Sequence, residues 1–221
     1  MRWIALPVLL AALLGGCDAI PAAQQPGRAA VQRSTLVWTP RPDERQCLAR
    51  LGQSRALFTP LPDQYYGAGC STLGTVRLAA LRSDSASLAL SNLGPVTCPL
   101  ADTFAAWARF GVDRAAQQIL GSALVRIETM GSYNCRNVAG SDRRSAHATA
   151  RAIDVSGFVL ADGRRITVSG DWDKGSAQER RFFSAIHQSA CKRFGTVLGP
   201  GYNAAHHDHL HLEMSSSAHC R

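Results

Sequence analysis

The sequence predicts an α+β fold in which helices pack on a small antiparallel sheet that carries a cluster of histidines. Three observations predict it. Two long segments, near 100–119 and within 176–195, place apolar side chains at helical spacing. Between them "ARAIDVSGFVL" and "RRITVS" read as strands joined by "ADG", a hairpin signal. Near the end, "HDHLHLEM" alternates, with His209, His211 and Glu213 on one face and Leu210 and Leu212 on the other. Such a strand buries its leucines and presents its histidines.

The chain begins outside this fold. "MRWIALPVLLAALLGGC" has an early positive charge at Arg2, an apolar run from Trp3 to Leu14, then small residues. Residues 1–16 read as a signal peptide, too short for a membrane span. "LLGGC" resembles the lipobox of bacterial lipoproteins, which implies that Cys17 is cleaved free and lipidated. Asp18 resembles the signal that holds some lipoproteins at the inner membrane, so the expected location is the periplasm, anchored to that membrane. Residues 17–43 form a tether, with prolines at 21, 26, 40 and 42 and no sustained apolar pattern.

The formal net charge is +8, and removing Arg2 with the signal leaves 8 − 1 = +7. A basic exported chain suits an acidic neighbour such as the cell-wall polymer or anionic head groups, and makes nucleic acid a poor partner. Of seven cysteines, removing Cys17 leaves six: Cys47, Cys70, Cys98, Cys135, Cys191 and Cys220. Exported chains oxidise their thiols, so three bridges are expected. Six cysteines permit fifteen pairings and the sequence does not choose among them; the expected set is Cys47–Cys70, Cys98–Cys135 and Cys191–Cys220. The paired short spacings of a zinc–cysteine site are absent.

Residues 44–94 read as a small bridged unit: a short helix at Cys47–Leu51, a Pro- and Tyr-rich loop, then strands in "TVRLAAL" and "ASLALSNLG". Residues 95–221 form the larger unit. Its first helix turns Leu100, Phe104, Trp107, Ala115 and Ile119 inward, and "ALVRIET" follows as a strand. The second helix opens with the capping box of Ser176 and Glu179, buries Phe183, Ile186, Ala190 and Phe194, and stops at Gly195. His187 within it reads as structural or exposed. "GTVLGPGYNAA" leads through a strand and a turn into the histidine segment.

Four of the seven histidines fall within His206–His211. Upstream, "SAHATARAID" sets His147 and Asp154 seven residues apart, where loop turns into strand. A hydrolytic zinc site takes three protein ligands from His and carboxylate and leaves a fourth position for water. His147, Asp154 and one histidine of "HLH" supply that set.

These residues carry a resemblance. Ser-x-His-x6-Asp with a later His-x-His resembles the superfamily of D-Ala-D-Ala carboxypeptidases, lysostaphin-type endopeptidases and the hedgehog amino-terminal domain. More narrowly, "GSYNCR", "SAHATARAIDVSGF", "GTVLGPGYNAAHHDHLHLE" and the closing "CR" resemble the bacterial extensin-like carboxy-terminal domain, over roughly residues 45–221. The resemblance implies one Zn2+ per chain, held by His147, Asp154 and His211. It gives Ser145 a part in shaping the loop, and sets Tyr133 and Arg136 near the scissile carbonyl. The general base is either Asp208 or His209, and strand alternation favours His209. Glu213 is placed to orient a ligand histidine, with His206 and His207 at the rim. Ala150 stands where relatives have glycine, a change that matters only where φ is positive. The implied activity is zinc-dependent hydrolysis of peptidoglycan stem peptides, as carboxypeptidase or endopeptidase. The alternative is a non-catalytic, zinc-containing peptidoglycan-binding module. A third reading makes zinc purely structural, in a closed site completed by His206 or His207.

Overall fold

The computed structural model describes residues 40–221. The expected signal peptide, Cys17 and all of the tether before residue 40 lie outside these residues. Helix α1, Pro42–Gln53, starts with proline where the missing N–H costs nothing, and carries Asp43 and Glu44 in its first turn. Strands β1 (Leu57–Pro60), β2 (Gln64–Gly67), β3 (Cys70–Thr72), β4 (Thr75–Arg82) and β5 (Ser87–Ser91) follow. β6 (Val96–Thr97) leads into α2 (Cys98–Ala106), which continues as wider π turns over Trp107–Asp113 and Ala116–Leu120. Gly121 ends that run in the left-handed conformation at φ 71°. Next come β7 (Leu124–Gly131), β8 (Ala152–Leu160), β9 (Arg165–Thr167), α3 (Val168–Asp171), α4 (Ala177–Cys191), β10 (Thr196–Leu198), β11 (Leu210–Glu213) and β12 (His219–Cys220).

The fold is α+β, but the expectation of a small antiparallel sheet is corrected. Ten strands form one mixed sheet in the order β1-β4-β5-β7-β8-β11-β10-β12, with β6 on β4 and β9 on β8. β5 with β7 and β10 with β12 are parallel. Parallel neighbours need a long crossover, and between β5 and β7 the helical run Cys98–Leu120 provides it. Residues 44–94 and 95–221 therefore share one sheet and one core.

That core lies between the sheet and the helices. Phe104, Trp107, Phe158, Phe182, Phe183 and Ile186 are buried, and Trp107 Nε1 donates to the Ile186 carbonyl at 3.0 Å. Gly111 lets the first helical run approach α4, since a Cβ there would meet Ser189 Oγ at 2.5 Å. The capping box of α4 is present, with Ser176 N–H donating to Glu179 at 2.6 Å. The helix ends at Cys191, and Gly195 instead lies in the turn beyond, donating to the Glu213 carbonyl.

All six described cysteines are bridged, with two pairings corrected. Cys47 joins Cys98, Cys70 joins Cys135, and Cys191 joins Cys220 as expected. α1 packs against α2, which brings Cys47 beside the first residue of that helix. The β2–β3 hairpin leans on the loop after β7, which brings Cys70 to Cys135. The first two bridges span 51 and 65 residues, and each contributes about 4 kcal/mol in the chain-entropy account.

Candidate metal centre

β8 and β11 are antiparallel neighbours, and their register sets Asp154 directly opposite His211. Residues so paired have Cβ atoms about 4.5–5.5 Å apart, close enough for both side chains to reach one point. Leu210 and Leu212 anchor β11 in the core and turn His211 and Glu213 to the other face. On the far side of β8, Gly131 of β7 pairs with Asp154 and turns the chain at φ 117°. Ser132 follows it, and its carbonyl accepts His147 Nδ1 at 2.8 Å.

His147 arrives on a short 3-10 turn, Ala146–Thr149, which Ser145 caps by accepting the His147 N–H at 3.4 Å. Ala150 closes the turn at φ 53°, ψ 31°, in the left-handed region, and is fully buried. Alanine therefore sits where φ is positive, the one condition that an L side chain resists. It is held there from both sides: its N–H donates to the His147 carbonyl, and its carbonyl accepts the Thr97 N–H at 2.9 Å.

Three donor residues converge. His147 Nε2 lies 3.2 Å from Asp154 Oδ2 and 3.2 Å from His211 Nδ1, and His211 Nδ1 lies 2.9 Å from Asp154 Oδ1. Donors of a tetrahedral zinc at about 2.0–2.1 Å stand about 3.3 Å apart, so a small expansion accommodates the ion. The second nitrogens determine the tautomers. His147 Nδ1–H donates to the Ser132 carbonyl, and His211 Nε2–H donates to Glu213 at 3.2 Å. In the neutral rings both facing nitrogens are then acceptors, and two lone pairs at 3.2 Å need a cation or a proton between them.

The electrostatics say the same. Burial disfavours charge on His211, but hydrogen bonds to Asp154 and Glu213 outweigh it and push its pKa up to about 9. Burial likewise opposes charge on Asp154, yet the two histidines hold its carboxyl well below the usual carboxylate range. A buried site that retains an anion and a strongly basic imidazole is built for positive charge at its centre.

His209 reaches the same centre without joining the three. Its Nε2 is 3.6 Å from Asp154 Oδ1, and its Nδ1 is 2.8 Å from Asp208 Oδ1. Asp208 and His209 therefore stand in series, the carboxylate behind and the imidazole in front. His206 packs at a tilt against His209 and edge-on against His211, with ring centroids 5.1 and 5.9 Å away, and edge-on against Tyr202 at 5.4 Å. Burial, then the neighbouring histidines, lower its pKa to about 4. His207 is exposed. Among the described residues the donor group at this centre has three members, His147, Asp154 and His211.

Two openings reach the donors. A cleft of about 740 Å³ is lined by Arg136, Ser145, His206, His209, His211 and Glu213, among others. A second pocket of about 80 Å³ is lined by Tyr133, Arg136, His147 and Asp154, among others. Arg136 borders both. Tyr133 stacks on Tyr66 at 5.2 Å. The sequence reading missed Ser132, because its contribution is a backbone carbonyl placed by Gly131. It also missed Tyr202, which packs on the His206 rim. A second group, His187, Cys191 and Cys220, lies close together, but both sulfurs are spent in a bridge.

A family model described as Extensin-like protein C-terminus matches residues 45–221. No curated protein and no solved structure matches the chain.

Proposed function

This chain belongs to the extensin-like protein C-terminus family, and from that premise and its site we propose that it is a zinc-dependent hydrolase of peptidoglycan stem peptides. It would work in the cell envelope, tethered to the inner membrane through a lipid at Cys17. The observation that carries the reading is the pair of acceptor nitrogens, His147 Nε2 and His211 Nδ1, aimed at each other 3.2 Å apart beside the Asp154 carboxylate. Two imidazoles and one carboxylate are the donor set of a hydrolytic zinc site. Bound there, zinc would supply Lewis acidity toward a scissile carbonyl and acidify a water.

The chain's own groups divide the remaining work. Ser132 and Glu213 fix the ligand rings by accepting their outer N–H groups. His209 serves as general base, since its Nδ1–H is held by Asp208 and its Nε2 lone pair faces the centre. It takes the proton of the attacking water and returns it to the leaving amine. Asp208 orients the ring through its hydrogen bond to Nδ1. Arg136, bordering both openings, steadies the oxyanion or a substrate carboxylate.

The test uses the mature, bridged chain on purified muropeptides, with zinc and with chelator, and reads the products by mass. About one zinc per chain is expected, lost in His147→Ala, Asp154→Ala and His211→Ala. His209→Ala should retain zinc and cleave about 10²–10⁴-fold more slowly. A zinc-loaded wild type that cleaves no muropeptide while still sedimenting with sacculi would end the enzyme reading and leave the binding module.

A further inference from the structure

Away from the cleft, Arg50, Arg109, Arg114, Arg164 and Arg165 each hold a carboxylate at 2.6–3.2 Å, whereas Arg77 and Arg126 hold none among the described residues. In the cleft, Arg136, Arg143, Arg144 and Arg151 line one space with a single carboxylate, Glu213, which is already bonded to His211. Two of the four have other duties. Arg144 braces the β2–β3 hairpin, donating to the Ala68 carbonyl at 2.6 Å and to Asn137 Oδ1 at 2.8 Å. Arg136 borders the small pocket beside the donors.

Arg143 and Arg151 remain. Among the described residues the Arg143 side chain has no hydrogen-bond or ion-pair partner. Arg151 donates once, to the Met214 carbonyl at 2.7 Å. A guanidinium offers five N–H groups in a fork that matches a carboxylate. Both arginines line the same cleft as Glu213 and the ligand His211. The same cleft is lined by the hydroxyls of Thr149, Ser215, Ser216 and Ser217. Such hydroxyls suit peptide amides and carboxylates.

We propose that Arg143 and Arg151 form a carboxylate-binding subsite in this cleft, so that the peptide presented to the metal centre carries a free carboxylate on its cleft side. The subsite deepens the hydrolase reading and rests on it for the reaction, but not for binding. The Arg143 and Arg151 side chains make no hydrogen bond to His147, Asp154 or His211 among the described residues, so their role is in specificity.

The test pairs two synthetic probes: a stem pentapeptide with free carboxylates on its γ-linked D-glutamate and diaminopimelate, and its twin with both amidated. Zinc-loaded mature protein is titrated with each by calorimetry, and cleavage is followed in parallel. Wild type should bind the free acid at least about tenfold more tightly, with the advantage shrinking as salt rises. Arg143→Gln and Arg151→Gln should each lose most of that preference. Arg151→Lys should keep part of it, which separates lost charge from lost fold. Arg181→Gln, on the exposed face of α4, should keep all of it. Equal binding of the two peptides, or an undiminished preference in both Gln variants, overturns the subsite. Preference without cleavage ends the hydrolase reading and keeps the subsite, whereas cleavage without preference does the reverse.

Discussion

Ala150 shows what a single backbone angle contributes. It closes the turn that delivers His147, and it does so at φ 53°. The left-handed conformation costs an L-residue roughly 1–2 kcal/mol, and glycine almost nothing. Replacing a buried helical alanine with glycine ordinarily loses both a methyl's burial and backbone entropy, about 1.5 kcal/mol in all. Ala148 is also fully buried, in the same turn, without positive φ. Ala148→Gly should therefore lower stability by about 1.5 kcal/mol, whereas Ala150→Gly should be nearly neutral because relief of strain offsets the loss. Equal losses in a urea titration of the two variants would remove the strain argument. At this scale the sequence was legible where period decides the outcome: alternation alone places His209, His211 and Glu213 on one face. It was silent where a carbonyl does the work, as at Ser132. It was also silent where one side chain stands behind another, as Asp208 does behind His209.

At the scale of elements, exposed charge ties the β4–β5 turn to the long helical run. Asp84 accepts Arg109 Nε at 2.6 Å and Arg114 Nε at 2.8 Å, and both guanidiniums lie over the Phe110 ring, at 5.0 and 4.7 Å. The bonds from Arg114, then Arg109, hold the Asp84 pKa down to about 2. Its folded value lies below its unfolded one, so the unfolded chain binds the extra proton first as pH falls. The stabilisation is complete above the ordinary value near 4 and is lost as pH falls toward about 2. The gap in denaturant midpoint between wild type and Asp84→Asn should be small, constant from pH 7 to about 5, closed near pH 2 and reduced by salt. A gap that persists at pH 2 would show that packing on Phe110, not charge, holds the turn. Helix starts were readable here because Pro42 and the Ser176–Glu179 box are local signals. The π turns were not, since Trp107–Leu120 keeps an inward apolar face whether its turns are normal or wide.

At the scale of the whole molecule, the sequence divides where the structure does not. A boundary at 94/95 looks natural because strands precede it and a helix follows it. Yet β5 pairs in parallel with β7 across that boundary, and the bridges Cys47–Cys98 and Cys70–Cys135 both span it. No local pattern announces a parallel pairing between residues more than thirty positions apart, nor which of fifteen disulfide pairings will close. The consequence is physical. A fragment of residues 95–221 keeps His147, Asp154, His209 and His211, but it strips β5 from β7 and removes Val76, Leu78, Leu81 and Leu88 from the shared core. It also forfeits two bridges of about 4 kcal/mol each, against a total stability of about 5–15 kcal/mol for a domain. The chain from residue 40 should melt in one cooperative step when oxidised. The 95–221 fragment, refolded with zinc under the same conditions, should show no cooperative melt and poorly dispersed amide resonances. A fragment that melts within a few degrees of the longer chain and still holds one zinc would show that the metal centre and its flanking strands fold alone, and that residues 44–94 are an addition to the fold, not half of its sheet.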